Sequence, residues 1–198
     1  MKKKLNKDLT DQINQSIKVK KKLINQNNKI NKVIEILFET IKNKKKILIC
    51  GNGGSAADAQ HIAAEGLIRL KPNVNRKPIP IISLATDTST ITACANDYTF
   101  EELFARNLDA LGSKGDALIA ISTSGNSKNI IKVLKIAKKL NINSIVLLGN
   151  NGGKSKQYSK NCIIVNSKNT ARIQEAHIFL GHYIMSKLEE KLLKYKII

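Results

Sequence analysis

The sequence predicts an α/β protein with a doubly wound, five-stranded parallel sheet and a helical N-terminal extension. Five short apolar runs rich in β-branched residues alternate with helical stretches between residues 46 and 193. Continuous apolar strands separated by helices are typical of a parallel sheet that is covered on both faces. At 198 residues, the chain is long enough to form one domain with a substantial core.

The N-terminal extension, residues 1–46, has apolar residues at helical spacing. One stripe comprises Leu9, Ile13, Ile17 and Ile24, and a clearer one comprises Ile30, Val33, Ile34, Leu37 and Ile41. The polar run 25–28 separates two predicted helices. These helices must bury their stripes against the body of the protein or against another copy of the chain. We therefore divide the chain into residues 1–45, the N-terminal helices, and residues 46–198, the α/β domain.

In the α/β domain, predicted strands and helices alternate along the chain. Strands are predicted at 46–50, 79–84, 117–122, 144–148 and 162–165, and helices near 55–68, 100–111, 127–140 and 171–193. The segments 71–80 and 149–156 are predicted to be exposed, irregular loops. Folds of this class bind ligands beyond the carboxyl ends of their strands.

The chain is strongly basic, with a formal net charge of +19. Residues 1–46 hold 14 lysines against 4 acidic residues, and such an arm can bind nucleic acid or an anionic membrane. We favour the alternative that lysines decorate exposed helix faces, because aromatic residues make up only 4% of the chain and no nucleic-acid motif is present. No apolar run reaches the length of roughly 18–20 residues that a membrane-spanning helix needs.

Three cysteines, Cys50, Cys94 and Cys162, stand far apart without a C-x-x-C pair. An odd count without metal-site spacing predicts reduced thiols and a cytoplasmic protein. Cys50 and Cys162 lie in apolar strand-like runs, so we expect both in the core.

The first candidate ligand loop is Gly51-Asn52-Gly53-Gly54-Ser55, directly after the first predicted strand. Glycines allow the backbone to turn tightly and to approach a ligand. Ser55 is a plausible N-cap, and free amides at a helix start favour an anion. The loop lacks the spacing of a dinucleotide or Walker motif, so an ordinary strand-to-helix turn is an equally good interpretation.

The second loop, Ser122-Thr123-Ser124-Gly125-Asn126-Ser127, is a stronger indication. Its four hydroxyl groups surround a glycine at the start of a predicted helix. Capping a helix uses only one hydroxyl, and the others can donate hydrogen bonds to a phosphate. We therefore predict an anion site here.

Two predicted helices carry polar groups that can meet. His61 and Glu65 are four residues apart, so they share a helix face. Gln174, Glu175, His177 and His182 interrupt an otherwise apolar helix. Buried polar groups need partners, so these groups can surround a metal or a substrate. Scattered surface polar residues are the competing interpretation.

Gln174 and His182 present a geometric difficulty, because eight residues of straight helix rise by about 12 Å. The two can share a metal only if Gln174 lies at a loose helix start or comes from another subunit. His177, three residues after Gln174, is a competing ligand.

Four segments together resemble the phosphoheptose isomerases, a family of the sugar-isomerase (SIS) fold class. They are GNGGSAADAQHIAAE, the run AxANDYxFEELFxR at 93–106, ALGSKGDALIAISTSGNSKNI and TARIQEAHxxxGH. The resemblance extends from about residue 30 to residue 190, whereas the first 25 or so residues and the lysine content are less typical. It implies a flavodoxin-like sheet and a homotetramer whose N-terminal helices pack in the oligomer and whose active sites lie at subunit interfaces.

The family's reaction converts the sugar phosphate sedoheptulose 7-phosphate into D-glycero-D-manno-heptose 7-phosphate. This is the first step toward the ADP-heptose of bacterial lipopolysaccharide, and a zinc ion is associated with the site. By resemblance, the zinc contacts are His61, Glu65, Gln174 and His182. Glu65 and His182 are the expected acid/base pair. The expected substrate contacts are Asn52, Gly53, Gly54, Ser55, Glu65, Asn96, Asp97, Ser122, Thr123, Ser124, Ser127 and Gln174.

Two alternative functions remain open from the sequence. A relative with the same fold binds the replication initiator DnaA without sugar chemistry, but a scaffold has no need of Glu65 and His182. An isomerase for a hexose or pentose phosphate would have similar phosphate loops, yet the set of His61, Glu65, Gln174 and His182 favours the heptose enzyme. No nucleic-acid or membrane partner is expected.

Overall fold

The computed structural model describes residues 2–198, with side chains described from Lys7 onward. The helices are α1 (Lys2–Lys21), α2 (Asn27–Lys42), α3 (Gly54–Leu67), α4 (Thr88–Asp97), α5 (Leu103–Leu111), α6 (Lys128–Lys139) and α7 (Thr170–Lys194). The strands are β1 (Ile47–Gly51), β2 (Ile81–Ser83), β3 (Ala117–Ser122), β4 (Asn143–Gly149) and β5 (Asn161–Val165). Short 3₁₀ turns occupy Lys22–Gln26, Phe100–Glu102 and Lys154–Tyr158.

The five strands form one parallel sheet in the order β2-β1-β3-β4-β5. This order confirms the predicted doubly wound, flavodoxin-like fold, with its switch point between β1 and β3. All five strands occur where the sequence predicts them. Strand β2 is shorter than predicted, since Pro80 has no N–H to donate, although its carbonyl accepts a hydrogen bond from the Ile47 N–H at 2.9 Å.

The two faces of the sheet bury separate apolar clusters. Ile47 and Ile49 of β1 pack with the inward faces of α2, α3 and α7. Leu48 and Cys50 face the other way and pack with α5 and α6. This double cover explains why the strands read as continuous apolar runs.

The three cysteines are free thiols and are buried, as predicted for Cys50 and Cys162. Burial raises the pKa of the Cys50 thiol, so the thiolate is strongly disfavoured. These cysteines therefore behave as core residues.

Helix α4 was not predicted, because it lacks an apolar stripe. Cys94 is its one fully buried residue. The helix instead begins with a side-chain cap, in which the Asp87 carboxylate accepts a hydrogen bond from the Ser89 N–H at 3.0 Å. The helix predicted at 100–111 is shorter than expected, since residues 100–102 form a 3₁₀ turn before α5.

The two N-terminal helices differ in burial. The stripe on α2 is fully covered, with Leu37 at 0% exposure, and it packs in the same core as β1 and α7. The stripe on α1 is open, with Leu9 63% and Ile13 51% exposed. The division at residue 45 stays a prediction, but α2 shares its core with the sheet.

The break between α1 and α2 covers an edge of the sheet. The Gln26 side chain donates to the Ile164 carbonyl at 2.8 Å and accepts from the Ile164 N–H at 3.1 Å. These bonds satisfy the backbone groups of Ile164 on the edge strand β5, which would otherwise be unpaired.

Helices α3 and α7 pack side by side in close contact. A Cβ atom on Gly181 would lie 2.5 Å from Ile62 Cδ1. A Cβ atom on Gly66 would lie 2.3 Å from Ile81 Cγ2 and 3.4 Å from the end of Met185. The contacts Ile62–Gly181 and Gly66–Met185 place the two helices parallel.

Among the described residues, no helix is long and apolar enough to cross a membrane.

Candidate active site

The parallel packing of α3 and α7 brings three of the predicted site residues together. His61 and Glu65 lie one turn apart on α3, and His182 lies opposite them on α7. The Nε2 atoms of His61 and His182 are 2.8 Å apart, and their rings meet edge to face with centroids 5.0 Å apart. We call these three residues the His–Glu cluster.

Glu65 completes the His–Glu cluster. Its Oε1 atom lies 3.2 Å from His61 Nε2 and 4.0 Å from His182 Nε2. Its Oε2 atom is buried without a hydrogen-bond partner among the described residues. A buried carboxylate oxygen without a partner is costly, so this oxygen is available to a ligand.

The His–Glu cluster has a donor set suited to a metal ion. One ligand atom from each residue lies within 4.8 Å of the others. Two histidines and a carboxylate are a ligand set that zinc accepts, with a position left for substrate. The His61 side chain is 51% exposed and that of His182 is 44% exposed, so a small molecule can reach the cluster.

Asp58 is a neighbour of the cluster that sequence reasoning missed. It lies on α3, three residues before His61. Burial raises the pKa of its carboxyl, while the positive charges that His61 and His182 carry when protonated oppose that shift. Its Oδ2 atom has no partner among the described residues. The spacing of three residues on one helix was the available signal.

His177, the competing ligand, does not join the His–Glu cluster. It is fully buried, at 0% exposure, and neither ring nitrogen has a hydrogen-bond partner among the described residues. Burial lowers the pKa of His177 to about 4. His177 is therefore a neutral core residue.

Gln174 lies apart from the cluster within one chain. A Cβ atom on Gly54 would lie 2.5 Å from Gln174 Nε2, so Gln174 faces the start of α3. Helix α7 begins at Thr170, where the Asn169 side chain caps it, and Gln174 lies in the regular helix beyond. It is therefore about 12 Å along the helix axis from His182, and the loose helix start considered above does not occur.

In the first glycine loop, Gly53 rather than Ser55 is the N-cap of α3. The prediction for Ser55 as the cap was wrong, because Gly53 adopts a positive φ of 54° that glycine tolerates. The turn thus ends two residues earlier, and Ser55 lies inside the helix, buried at 3% exposure.

Asn52 links the two loops. Its amide exchanges two hydrogen bonds with the amide of Asn129 on α6, at 2.9 and 2.8 Å. Asn129 also accepts from the Ile130 N–H at 2.9 Å. This pair fixes the glycine loop against the start of α6, and Asn129 is a residue that sequence reasoning missed.

The hydroxyl loop, residues 122–127, lies between β3 and α6. Ser122 Oγ is 3.3 Å from Ser127 Oγ and accepts from the Gly125 N–H at 3.0 Å. Ser127 occupies the N-cap position without a side-chain capping bond. Thr123 and Ser124 are accessible, so the loop presents hydroxyls at a helix start, as predicted.

Asn96 and Asp97 end α4 and are both exposed. The Asn96 side chain donates to Asp97 Oδ1 at 2.8 Å. Close by in the chain, the Arg106 guanidinium lies 4.1 Å from the centroid of the Tyr98 ring. No contact in the described chain joins Asn96 or Asp97 to the His–Glu cluster.

Arg76 contradicts the expectation that residues 71–80 form only an exposed loop. Its side chain is 1% exposed and pairs with Glu189 of α7, which is also 1% exposed, at 2.6 Å. It also binds the backbone at the end of α3. A single arginine in an irregular loop carries no sequence signal of burial, which explains why it was missed.

Comparisons with known proteins show which family the chain belongs to. A family model for the SIS domain matches residues 11–149. The phosphoheptose isomerase of Clostridium acetobutylicum is 43% identical over 189 residues, which cover 94% of this chain and 95% of the relative. That of Helicobacter pylori strain P12 is 50% identical over 171 residues, covering 86% and 88%.

A solved structure gives the same result. Phosphoheptose isomerase GmhA from Neisseria gonorrhoeae superimposes with a TM-score of 0.86 at 37% identity, covering 94% of this chain and 99% of that one. The superposition covers more than nine-tenths of both chains, and the three relatives compared are all phosphoheptose isomerases. The chain therefore belongs to the phosphoheptose isomerase family of SIS-domain proteins.

Proposed function

We propose that this protein interconverts sedoheptulose 7-phosphate and D-glycero-D-manno-heptose 7-phosphate. The observation that carries the proposal is the meeting of Glu65 and His182 in an accessible cluster on adjacent helices. The membership of the chain in the phosphoheptose isomerase family supports the choice of substrate.

Glu65 is the proposed base. Exchange between ketose and aldose moves a proton between C1 and C2 through a cis-enediol, so one group must remove and return that proton. The buried Oε2 atom of Glu65 has no partner among the described residues. It is thus free to accept a proton from C1 of the ketose and to deliver it to C2.

His182 is the proposed carrier of protons on the oxygens. As C1 loses its proton, the carbonyl oxygen on C2 must gain one, and the hydroxyl on C1 must later lose one. A histidine can both donate and accept at neutral pH. The side chain of His182 is partly exposed and faces Glu65 across the helix pair, so the two groups can act on neighbouring atoms.

Zinc is the proposed metal, held by His61, Glu65 and His182, whose donor atoms fit such an ion. When bound, zinc supplies a Lewis acid that polarises the carbonyl and orients the diol. Since Gln174 lies about 12 Å along α7 from His182, we assign its metal contact to a second copy of the chain.

The phosphate is the proposed ligand of the two loops. Hydroxyls of Ser122, Thr123, Ser124 and Ser127 and the amides at Gly53 and Gly54 can donate to it. Asn52, Ser55, Asn96, Asp97 and Gln174 remain proposed substrate contacts. Binding energy at the phosphate holds the reacting carbons in register.

A homotetramer is the proposed assembly. The open stripe on α1, with Leu9 63% and Ile13 51% exposed, supports burial against other copies. The proposed role is cytoplasmic, as the first step toward ADP-heptose for lipopolysaccharide.

The direct test is to incubate the purified protein with sedoheptulose 7-phosphate and to follow the sugar by NMR. The expected result is the aldoheptose phosphate, with deuterium at C2 when the proton exchanges with D₂O at the enediol stage. Fructose 6-phosphate and ribulose 5-phosphate are the matched controls for a hexose or pentose enzyme. Turnover of either control in place of the heptulose would overturn the substrate assignment.

The metal is tested separately. Metal analysis of the purified protein should find zinc, and His61→Asn should lower its content. A chelator should reduce activity, and added zinc should restore it. Full activity in protein shown to be free of metal would contradict the proposed role of zinc.

A further inference from the structure

We propose that Arg76 is a positioning residue that sets the distance between Glu65 and His182. Its guanidinium holds the end of α3, which carries Glu65, and the carboxylate of Glu189 on α7, which carries His182. The catalytic part of this inference rests on the proposed isomerase function.

All three nitrogen atoms of the Arg76 guanidinium donate hydrogen bonds. Nη2 donates to the Glu65 carbonyl at 2.8 Å, and Nη1 donates to the Gly66 carbonyl at 2.9 Å. Nε donates to Glu189 Oε2 at 2.6 Å. Nη1 also donates to the Lys77 carbonyl at 3.0 Å, so the loop backbone itself contacts the guanidinium.

The carbonyl contacts lie where α3 ends. The last carbonyls of a helix have no intrahelical partner and carry a partial negative charge. The buried guanidinium binds the Glu65 carbonyl and adds to the bond that the Gly66 carbonyl accepts from the Ile79 N–H at 3.0 Å, so it fixes the final turn. One of the two carbonyls belongs to Glu65 itself, so Arg76 restrains the backbone of the proposed base directly.

The carboxylate contact lies on the catalytic face of α7. Glu189 is seven residues after His182, which is two turns along the same face. Both Arg76 and Glu189 have side chains that are only 1% exposed, so water competes little with the pair. The guanidinium thus joins the two helices just beyond the His–Glu cluster.

The arrangement requires an arginine. A guanidinium is a rigid planar fork that can bind several acceptors at fixed angles, whereas a lysine ammonium is a single point charge on a flexible stem. Arg76→Lys keeps the positive charge for Glu189 but cannot reach both carbonyls and the carboxylate in one geometry. This variant therefore separates positioning from charge.

A matched control lies in the same loop. Lys71 pairs with Glu190 at 2.9 Å, and both side chains are more than one-third exposed, at 40% and 46%. This pair also joins the loop to α7, but it binds no carbonyl of α3 in the described chain. Lys71→Met should leave turnover unchanged.

The first measurement is steady-state kinetics with sedoheptulose 7-phosphate. For Arg76→Lys, we expect kcat to fall by about 10- to 100-fold, since a displacement near 1 Å can cost that much. KM should change less than about threefold, because the phosphate loops remain intact. Native kcat in Arg76→Lys would overturn the proposal.

A second variant guards against loss of folding. Arg76→Met combined with Glu189→Leu replaces the pair by apolar groups, which proteins often tolerate. If its thermal unfolding is native-like, kcat should still be lowered, because the Glu65 carbonyl has lost the donor that Arg76 supplied. A native-like fold with native kcat would show a structural role alone and would overturn the proposal.

The third measurement does not depend on activity. In metal-free protein, the imidazole ¹H–¹³C signals of His61 and His182 report their edge-to-face contact. Arg76→Lys should shift both signals and leave that of the core residue His177 in place. Shifted signals in a protein whose wild type lacks isomerase activity would refute the proposed function but not the positioning. Unshifted signals would refute the positioning.

Discussion

The His–Glu cluster and the Arg76–Glu189 pair both join α3 to α7, yet they differ in solvent exposure and in the number of hydrogen bonds that hold them. The cluster is open to solvent, and one oxygen of Glu65 has no partner among the described residues. The pair is buried, and the guanidinium donates to one carboxylate and three carbonyls, although Glu189 Oε1 has no partner among the described residues. Here a reactive group that solvent can reach is held in place by a buried ion pair close by.

The sharpest test of this division is Glu65→Gln. We expect kcat to fall by about 10²- to 10⁴-fold, because the amide cannot remove the C1 proton. Thermal stability should be unchanged or higher, since active-site charges are often held at a cost in stability. Kinetics and thermal unfolding should be measured on the same preparation.

The control for this prediction is Glu190→Gln, which changes an exposed carboxylate on α7 that is 46% accessible. Its turnover should be native. If Glu65→Gln retained native turnover, Glu65 would not be the base.

In contrast to Glu65→Gln, a substitution in the buried Arg76–Glu189 pair should lower the stability of the protein. Glu189→Leu leaves the Arg76 guanidinium buried without its carboxylate, and breaking such a pair costs about 3–5 kcal/mol. Urea unfolding should therefore show a lower midpoint with a similar slope. A loss below about 1 kcal/mol would mean that the pair behaves like a surface contact.

His177 extends the comparison to a buried group without a partner. Because its folded pKa is about 4 and that of an unfolded histidine is about 6.5, the unfolded chain binds the proton first as pH falls. The unfolding free energy should thus decrease by about 3 kcal/mol between pH 6.5 and pH 4.

This pH dependence should be measured by urea unfolding at several pH values in wild type and in His177→Leu. Carboxylates contribute to the pH dependence of the unfolding free energy in both proteins, so the difference between the two pH dependences isolates the contribution of His177. Equal slopes in the two proteins would contradict a neutral, buried His177.

The smallest effect is expected at the exposed pair. Lys71→Met removes the contact with Glu190, and solvated ion pairs contribute about 0–1 kcal/mol. The unfolding free energy should change by less than about 1 kcal/mol. A change as large as that of Glu189→Leu would remove the distinction between exposed and buried pairs on α7.

Much of the fold was predictable, because continuous apolar runs and helical periodicity can be recognised directly in the sequence. Helix α4 was not, since its start depends on the Asp87 cap rather than on an apolar stripe. The Ser55 cap was mispredicted because Gly53 adopts a positive φ that the residue pattern does not reveal. The position of a helix cap depends on backbone dihedral angles, and more than one nearby residue has a type that can cap the helix.

The site was predictable in part for a related reason. His61 and Glu65 share a helix face, so their proximity follows from spacing. The approach of His182 depends on how α3 and α7 pack, which spacing alone does not determine. The role of Arg76 could not be predicted from the sequence, because it depends on a loop that folds inward and brings the guanidinium to backbone carbonyls. The family resemblance supplied the pairing of Glu65 with His182 but not this support.

The contact between Gly181 and Ile62 has a consequence for how the chain can change. A single added methyl at Gly181 would lie 2.5 Å from Ile62 Cδ1, so either the buried Ile62 side chain or helix α7 would have to shift. The tolerance of the protein to substitution is thus narrow at a residue that bears no functional group, because the contact between the two helices leaves no room for a Cβ atom.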